Sequence, residues 1–278
     1  MKEQTICRRP LQGQERFIIA TAYVKTKNLR RSVECCRDMY VNCLHAGGVG
    51  AREAAVIAAV CAEAGVECVF DGPAPKPAWP LIPVLQKAFS PEKLRRDVFS
   101  AVLCGARGIE YDSILDDSLV WKHDPEPIFH FLQDMNYRLT QYGRTLMALK
   151  HIGVYCSDKT AARYPTLAPC RSALAQSQIL AGQELPEGLA VGEFADGENN
   201  RYLLYQNVDH ADKRVKTFRI KLARTFRVYR VNPHNGKQVL VKDRMDGQSI
   251  LIMPGDGDLL RYQPADEEPF LIEYALKK

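Results

Sequence analysis

Between residues 17 and 70 short apolar runs alternate with amphipathic stretches, and this constrains the fold more than any other feature of the chain. Phe17-Ile-Ile-Ala-Thr-Ala-Tyr-Val24 predicts a strand, and Leu29, Val33, Cys36 and Met39 then recur at helical spacing. Val41-Asn-Cys-Leu-His45 predicts a second strand, closed by Ala46-Gly-Gly48. Residues 51–64 carry an apolar stripe of Ala54, Ile57, Ala58 and Cys61 and stop at Gly65, as a helix should. Val66-Glu-Cys-Val-Phe70 is the third predicted strand and runs into Asp71-Gly-Pro. Strands this close in sequence, joined through helices, pair in parallel with right-handed crossovers. His45 and Asp71 then leave neighbouring strands at one edge, where α/β proteins place their sites.

The pattern is looser after Asp71. Trp79-Pro-Leu-Ile-Pro-Val-Leu-Gln86 reads as a short strand or a loop along the rim, and its prolines argue against a central position. Ser90-Pro91 starts a helix with buried positions Leu94, Val98, Ala101 and Val102. A strand from Gly108 to Asp112 follows, with Ile109 and Tyr111 on one side and Glu110 and Asp112 on the other. The acidic and aromatic loop 115–123 contains Asp116, Asp117 and Trp121. Asp124-Pro125 then opens a long helix whose apolar face includes Phe131, Met135, Leu139 and Leu146. Gly143 weakens this helix, and close packing against a neighbour would explain it. Only four or five strands fit before residue 150, whereas a complete eight-stranded barrel needs about 250 residues.

From Leu189 the period changes to two. Strands are predicted at 190–194, 202–206, 217–222, 226–231, 238–241, 249–253, 258–262 and 270–274, with turns at 195–199, 232–236, Asp246-Gly247 and 254–257. Short strands separated by turn signals predict an antiparallel sandwich. The expected organisation is a partial (β/α) barrel-like domain over 1–150, a connecting segment over 151–188 and a β-sandwich over 189–278.

Composition limits the functional classes. The chain is 46% hydrophobic and 26% charged, as folded domains are, and no apolar run approaches the roughly 20 residues of a membrane span. The net charge of +5 is dispersed among acidic residues, without a basic stripe carrying base-stacking aromatics, so nucleic acid is not the expected partner. Nine cysteines without a Cys-x-x-Cys pair read as buried free thiols. That pattern, with a start unlike a signal peptide, favours a cytoplasmic location.

With these residues in view the chain resembles a glycoside-hydrolase-like TIM-barrel protein with a C-terminal β-sandwich, lacking the middle barrel strands. Asn42-Cys-Leu-His45 resembles an early barrel strand, and Gly105-Ala-Arg-Gly-Ile-Glu-Tyr111 is similar to a glycine-bounded final one. Met135-Asn136 and Leu146-Met-Ala-Leu149 match the helix before the accessory domain. Gly192-Glu-Phe-Ala-Asp196, Leu203-Leu-Tyr-Gln-Asn207 and the run from Leu251 to Leu260 match the sandwich. The fold class this implies is α/β: a truncated TIM-barrel-like domain followed by an antiparallel sandwich. The resemblance implies carbohydrate as the partner and no cofactor. It also departs from the family plan, because the position after the fourth barrel strand, which usually holds the acid/base, has no counterpart here.

Glycoside hydrolysis needs two carboxylates about 5–9.5 Å apart. Glu110 as acid/base and Asp71 as nucleophile or base are the candidates. The bland alternative has Asp71 capping Gly72 and Glu110 in an internal ion pair. His45 either orients substrate, donates to a carboxylate, or is structural. Trp79, Tyr111 and Trp121 are candidate sugar platforms, with Asp112 beside them. Asp112, Asp116 and Asp117 lack the ordered spacing of a calcium loop, so no metal is expected. Ala46-Gly-Gly-Val-Gly50 offers a phosphate cradle but lacks both the G-x-G-x-x-G order and a Walker lysine. Three readings follow: a glycosidase-like enzyme, a non-catalytic carbohydrate-binding or interaction protein, and a phosphate-ligand α/β enzyme. A second copy of the chain is the expected cover for open sheet edges.

Overall fold

The computed structural model describes residues 16–70, 80–82, 90–112, 114, 127–182 and 184–267. The chain divides into two compact units, Met1–Val102 with Ala106–Met147, and Leu103–Gly105 with Ala148–Lys278. No described helix is long and apolar enough to cross a membrane.

The first unit runs β1 (Ile18–Ala22), α1 (Leu29–Asp38), β2 (Cys43–Ala46), α2 (Ala51–Ala64), β3 (Glu67–Phe70), β4 (Leu81–Ile82), α3 (Pro91–Leu103), β5 (Gly108–Tyr111) and α4 (Pro127–Leu146). The local signals act as expected. Asn28 caps α1 through its side chain, Ser90 Oγ accepts from Lys93 N at the start of α3, and Gly65 ends α2 in the left-handed conformation.

The five strands form one parallel sheet in the order β3-β2-β1-β5-β4. This order is diagnostic. A doubly wound sheet would seat β4 beside β1, whereas here the last strand lies beside the first and β4 lies outside it. Each strand neighbours its successor in a cycle broken only between β3 and β4, as in a barrel opened at one seam. The sheet is consistent with an incomplete TIM barrel. β4 is a two-residue edge strand, in keeping with Pro80 beside it, which cannot donate to a ladder.

One face of the sheet is packed by helices. It carries Ile19, Leu44, Ile109 and Tyr111, all essentially inaccessible. The Tyr111 hydroxyl donates to Asn136 Oδ1 of α4 at 2.7 Å, and Asn136 Nδ2 donates to Met39 O beyond α1 at 2.8 Å. Cys61 of α2 meets Cys68 of β3 in a thiol hydrogen bond on the same side. The other face gathers Ile18, Ala20, Cys43 and Val69 into a small apolar cluster, and His45 and Glu110 share that face.

The second unit contains β6 (Lys150–Cys156), α5 (Asp158–Arg163), two short 3-10 turns, then β7 (Leu189–Ala195), β8 (Arg201–Asn207), β9 (Lys216–Val231), β10 (Gln238–Ile252) and β11 (Gly257–Pro264). They form one antiparallel six-stranded sheet ordered β10-β9-β11-β8-β7-β6. Segment 151–188, expected as a connection, supplies β6. Its alternation is masked by Gly153, which lies at a register shift and leaves room for Ser172 Oγ, 2.5 Å from where a Cβ would stand.

Four predicted strands are in fact two. The runs at 217–222 and 226–231 are halves of β9, and those at 238–241 and 249–253 are halves of β10. Asp246-Gly247, expected as a turn, lies inside β10, where Gly247 opposes Lys221 and an added Cβ would sit 3.0 Å from Ile220 O. Register shifts between Leu240 and Gly247 let the long ribbon bend. β11 pairs only with residues 226–230 of β9, so the other end of the ribbon is released from the sheet. That end packs back: Phe218, Ile220, Leu222, Ile250 and Ile252 join Val191, Leu203, Tyr205 and Leu260 in one core. Asn207 Nδ2 of β8 donates to Ile252 O at 3.3 Å, and Gln248 Nε2 donates to Tyr205 Oη at 3.2 Å. The unit is consistent with a sandwich whose two layers come from one sheet. The predicted strand 270–274 lies outside the described residues.

Candidate functional site

The site begins with two alanines. On the face opposite the helices, β1 presents Ala20 and Ala22, aligned with Glu110 of β5 and His45 of β2 respectively. The outer two of three adjacent strands stand about 10 Å apart. The small side chains between them allow His45 and Glu110 to meet over β1. His45 Nδ1 and Glu110 Oε1 are 2.8 Å apart, with side chains only 14% and 13% exposed. A larger residue at position 20 or 22 would occupy this space.

Both residues stand at the carboxyl ends of their strands, together with groups that the sequence did not single out. Tyr23, just past β1, bonds His45 O through its backbone N–H at 2.8 Å. Its hydroxyl donates to Glu53 Oε1, in the first turn of α2, at 3.0 Å. Burial first, and the Glu53 carboxylate second, push the Tyr23 phenol above its ordinary range. The available signal was position alone: a tyrosine just past a strand end and a carboxylate at a helix start.

Of the residues predicted for the site, the structure brings His45 and Glu110 into contact. Asp112 follows β5, half-buried, with its N–H on Ile82 O at 3.2 Å. Tyr111 is corrected: it lies on the helix-packed face, fully buried and bonded to Asn136, and offers no platform to a ligand. Alternation along a strand requires this, because Glu110 faces the site. Asp71, Trp79, Asp116, Asp117 and Trp121 lie outside the described residues. Among the described residues no three metal-ligating side chains converge. The 46–50 turn places Gly48 at φ 68° and starts α2 at Gly50 without a side-chain cap. Such a start is common to βα turns and does not define a phosphate site.

Chemically, the arrangement is a carboxylate held in one orientation by an imidazole at the carboxyl side of a parallel sheet. It can accept a hydrogen bond from a ligand hydroxyl on its second oxygen, or exchange a proton with a ligand oxygen.

No protein-family model matches the sequence, and no curated protein matches it. Among solved structures the chain is similar to a GH27 β-L-arabinopyranosidase from Geobacillus stearothermophilus, with 10% identity and a TM-score of 0.35 over 87% of this chain and 62% of that one. It is also similar to a GH30 endoxylanase from Clostridium papyrosolvens C71, with 8% identity and a TM-score of 0.32 over 81% of this chain and 49% of that one. The chain thus spans about three fifths of the arabinopyranosidase.

Proposed function

We propose that this is a glycoside-hydrolase-like protein that acts on carbohydrate through the rim holding His45 and Glu110. The observation that supports this is the 2.8 Å contact of His45 with Glu110, at the carboxyl side of a cyclically ordered parallel sheet and on the face opposite the helices. In the hydrolytic form Glu110 gives a proton to the glycosidic oxygen as the bond to the anomeric carbon breaks, and Asp71 serves as nucleophile or base. His45 is a positioning residue that fixes the Glu110 carboxyl. Carbohydrate binding without turnover is the second reading. It is favoured by the same contact, which engages one carboxylate oxygen internally, and by a sheet that shows five strands among the described residues.

A panel of aryl glycosides and polysaccharides, assayed for turnover and for binding, tests both. Hydrolysis reduced by about 10²-fold or more in Glu110→Gln supports the acid/base role. Unchanged turnover in that variant removes Glu110 from the mechanism. Binding without turnover supports the second reading, and neither one across the panel discards carbohydrate altogether.

A further inference from the structure

At the opposite end of the same sheet the amino ends of β1, β2 and β3 surround a cavity of about 290 Å³. Phe17, Tyr40 and Val41 form much of its apolar wall, and Arg16, Arg37 and Arg144 stand around it. Among the described residues no carboxylate lines it. The arginines come from three separate places: the segment just before β1, the last turn of α1 and the last turn of α4. The carbonyl ends of two helices account for cations here in general. They do not account for the gathering of all three around one apolar hollow.

Two of the three already pair with carboxylates at the surface. Arg16 pairs with Glu67 at 2.7 Å with side chains 49% and 54% exposed, and Arg37 pairs with its neighbour Asp38 at 3.1 Å. Solvated pairs of this kind are weak, and each guanidinium has five N–H donors. Tyr40 supplies an aromatic ring to the wall. It holds φ at 58°, a conformation that glycine or asparagine usually supplies after a helix, and its ring lies 5.1 Å from that of Tyr137. The left-handed turn ends α1, with Tyr40 N–H on Arg37 O and Val41 N–H on Cys36 O, and it places the ring at the cavity wall.

We infer that this cavity binds a small organic anion with a flat apolar body, of the aryl carboxylate class. The apolar body packs between Phe17 and Tyr40, and its carboxylate accepts from the guanidinium groups. The volume corresponds to about ten water-sized volumes, which suits a ligand with a single ring. This site is independent of the carbohydrate reading, since it lies at the other end of the strands.

Titration of the intact chain with benzoate, benzamide and inorganic phosphate, followed by calorimetry and ligand-observed NMR, tests it. Benzoate is expected to bind with a Kd below about 1 mM, with benzamide and phosphate each at least about tenfold weaker. Arg144→Gln, at an exposed helix position, should weaken benzoate by about tenfold, with Arg144→Lys retaining part of the affinity. Saturation absent at about 10 mM benzoate overturns the inference. So does benzamide binding as tightly, which would leave an apolar hollow only, or phosphate binding as tightly, which would leave a charge cluster only. The comparison of the three probes on the wild-type chain decides the matter even if a variant fails to fold.

Discussion

Gly143→Ala should destabilise the first unit, against the direction that helix propensity alone predicts. Gly143 lies within α4, three residues before its end at Leu146, where alanine would ordinarily gain up to about 1 kcal/mol over glycine. A Cβ at this position would stand 2.6 Å from Phe17 Cβ, 3.4 Å from its Cγ and 3.8 Å from its Cα. Carbon atoms rest at about 3.5–4.0 Å, so the two backbones must separate by about 1 Å. Neither Cβ can rotate away, because both are fixed directly to backbone. Phe17 is also anchored: its carbonyl accepts from Asn42 Nδ2 at 2.9 Å, and Asn42 Oδ1 accepts from Ile19 N at 2.9 Å. Overpacking of this kind costs about 2–3 kcal/mol, and after the propensity gain a net loss of about 1–2 kcal/mol remains. Urea unfolding followed by circular dichroism should show a lower midpoint with an unchanged slope, and the thermal midpoint should fall by about 2–8 °C. An alanine variant more stable by about 1 kcal/mol would refute the reasoning, because propensity would then act unopposed and the contact with Phe17 would not exist.

Two further outcomes follow from ionisation. In the second unit burial alone would raise the pKa of Asp209, but Lys216 at 2.7 Å, the Asp212 N–H and Arg163 outweigh it and hold this carboxyl below the usual range. A depressed folded pKa stabilises fully above the unfolded value of about 3.9 and is lost as pH falls through the folded one. The urea-midpoint gap between wild type and Asp209→Asn should therefore narrow below about pH 4, and a constant gap would refute the pairing. Among the described cysteines, Cys68 is partly exposed and its thiol is pulled down by the hydrogen bond from Cys61, whereas burial pushes Cys43 up to about 12 and Cys36 higher still. Alkylation of the folded chain at about pH 8, mapped by mass spectrometry, should label Cys68 well before Cys36 and Cys43, and equal rates would contradict this placement.

Much of the first unit was legible because its signals are local. Gly65, Ser90 and the helical stripe of residues 51–64 act within a turn or two of themselves, and α2 spans Ala51–Ala64 as its pattern predicts. Gly143 was readable as a point of close packing, although Phe17, 126 positions away in sequence, was not. In the second unit period two identified strands but not their continuity. A bulged ribbon and two separate strands share the same alternation, and only the pairing of Gly247 with Lys221 shows that residues 246–247 continue a strand.

By itself the sequence determined the alternating strands and helices of residues 17–70, the change from α/β to antiparallel structure, and the opposite facing of Glu110 and Tyr111, because these depend on backbone period and near neighbours. Tertiary structure alone decided that β5 lies beside β1, that Ala20 and Ala22 leave the gap in which His45 and Glu110 meet, and that three distant arginines share one cavity. Strand order and register join residues 65 positions apart, as with His45 and Glu110. No local preference encodes such contacts; they arise when a whole sheet buries its apolar surface at once.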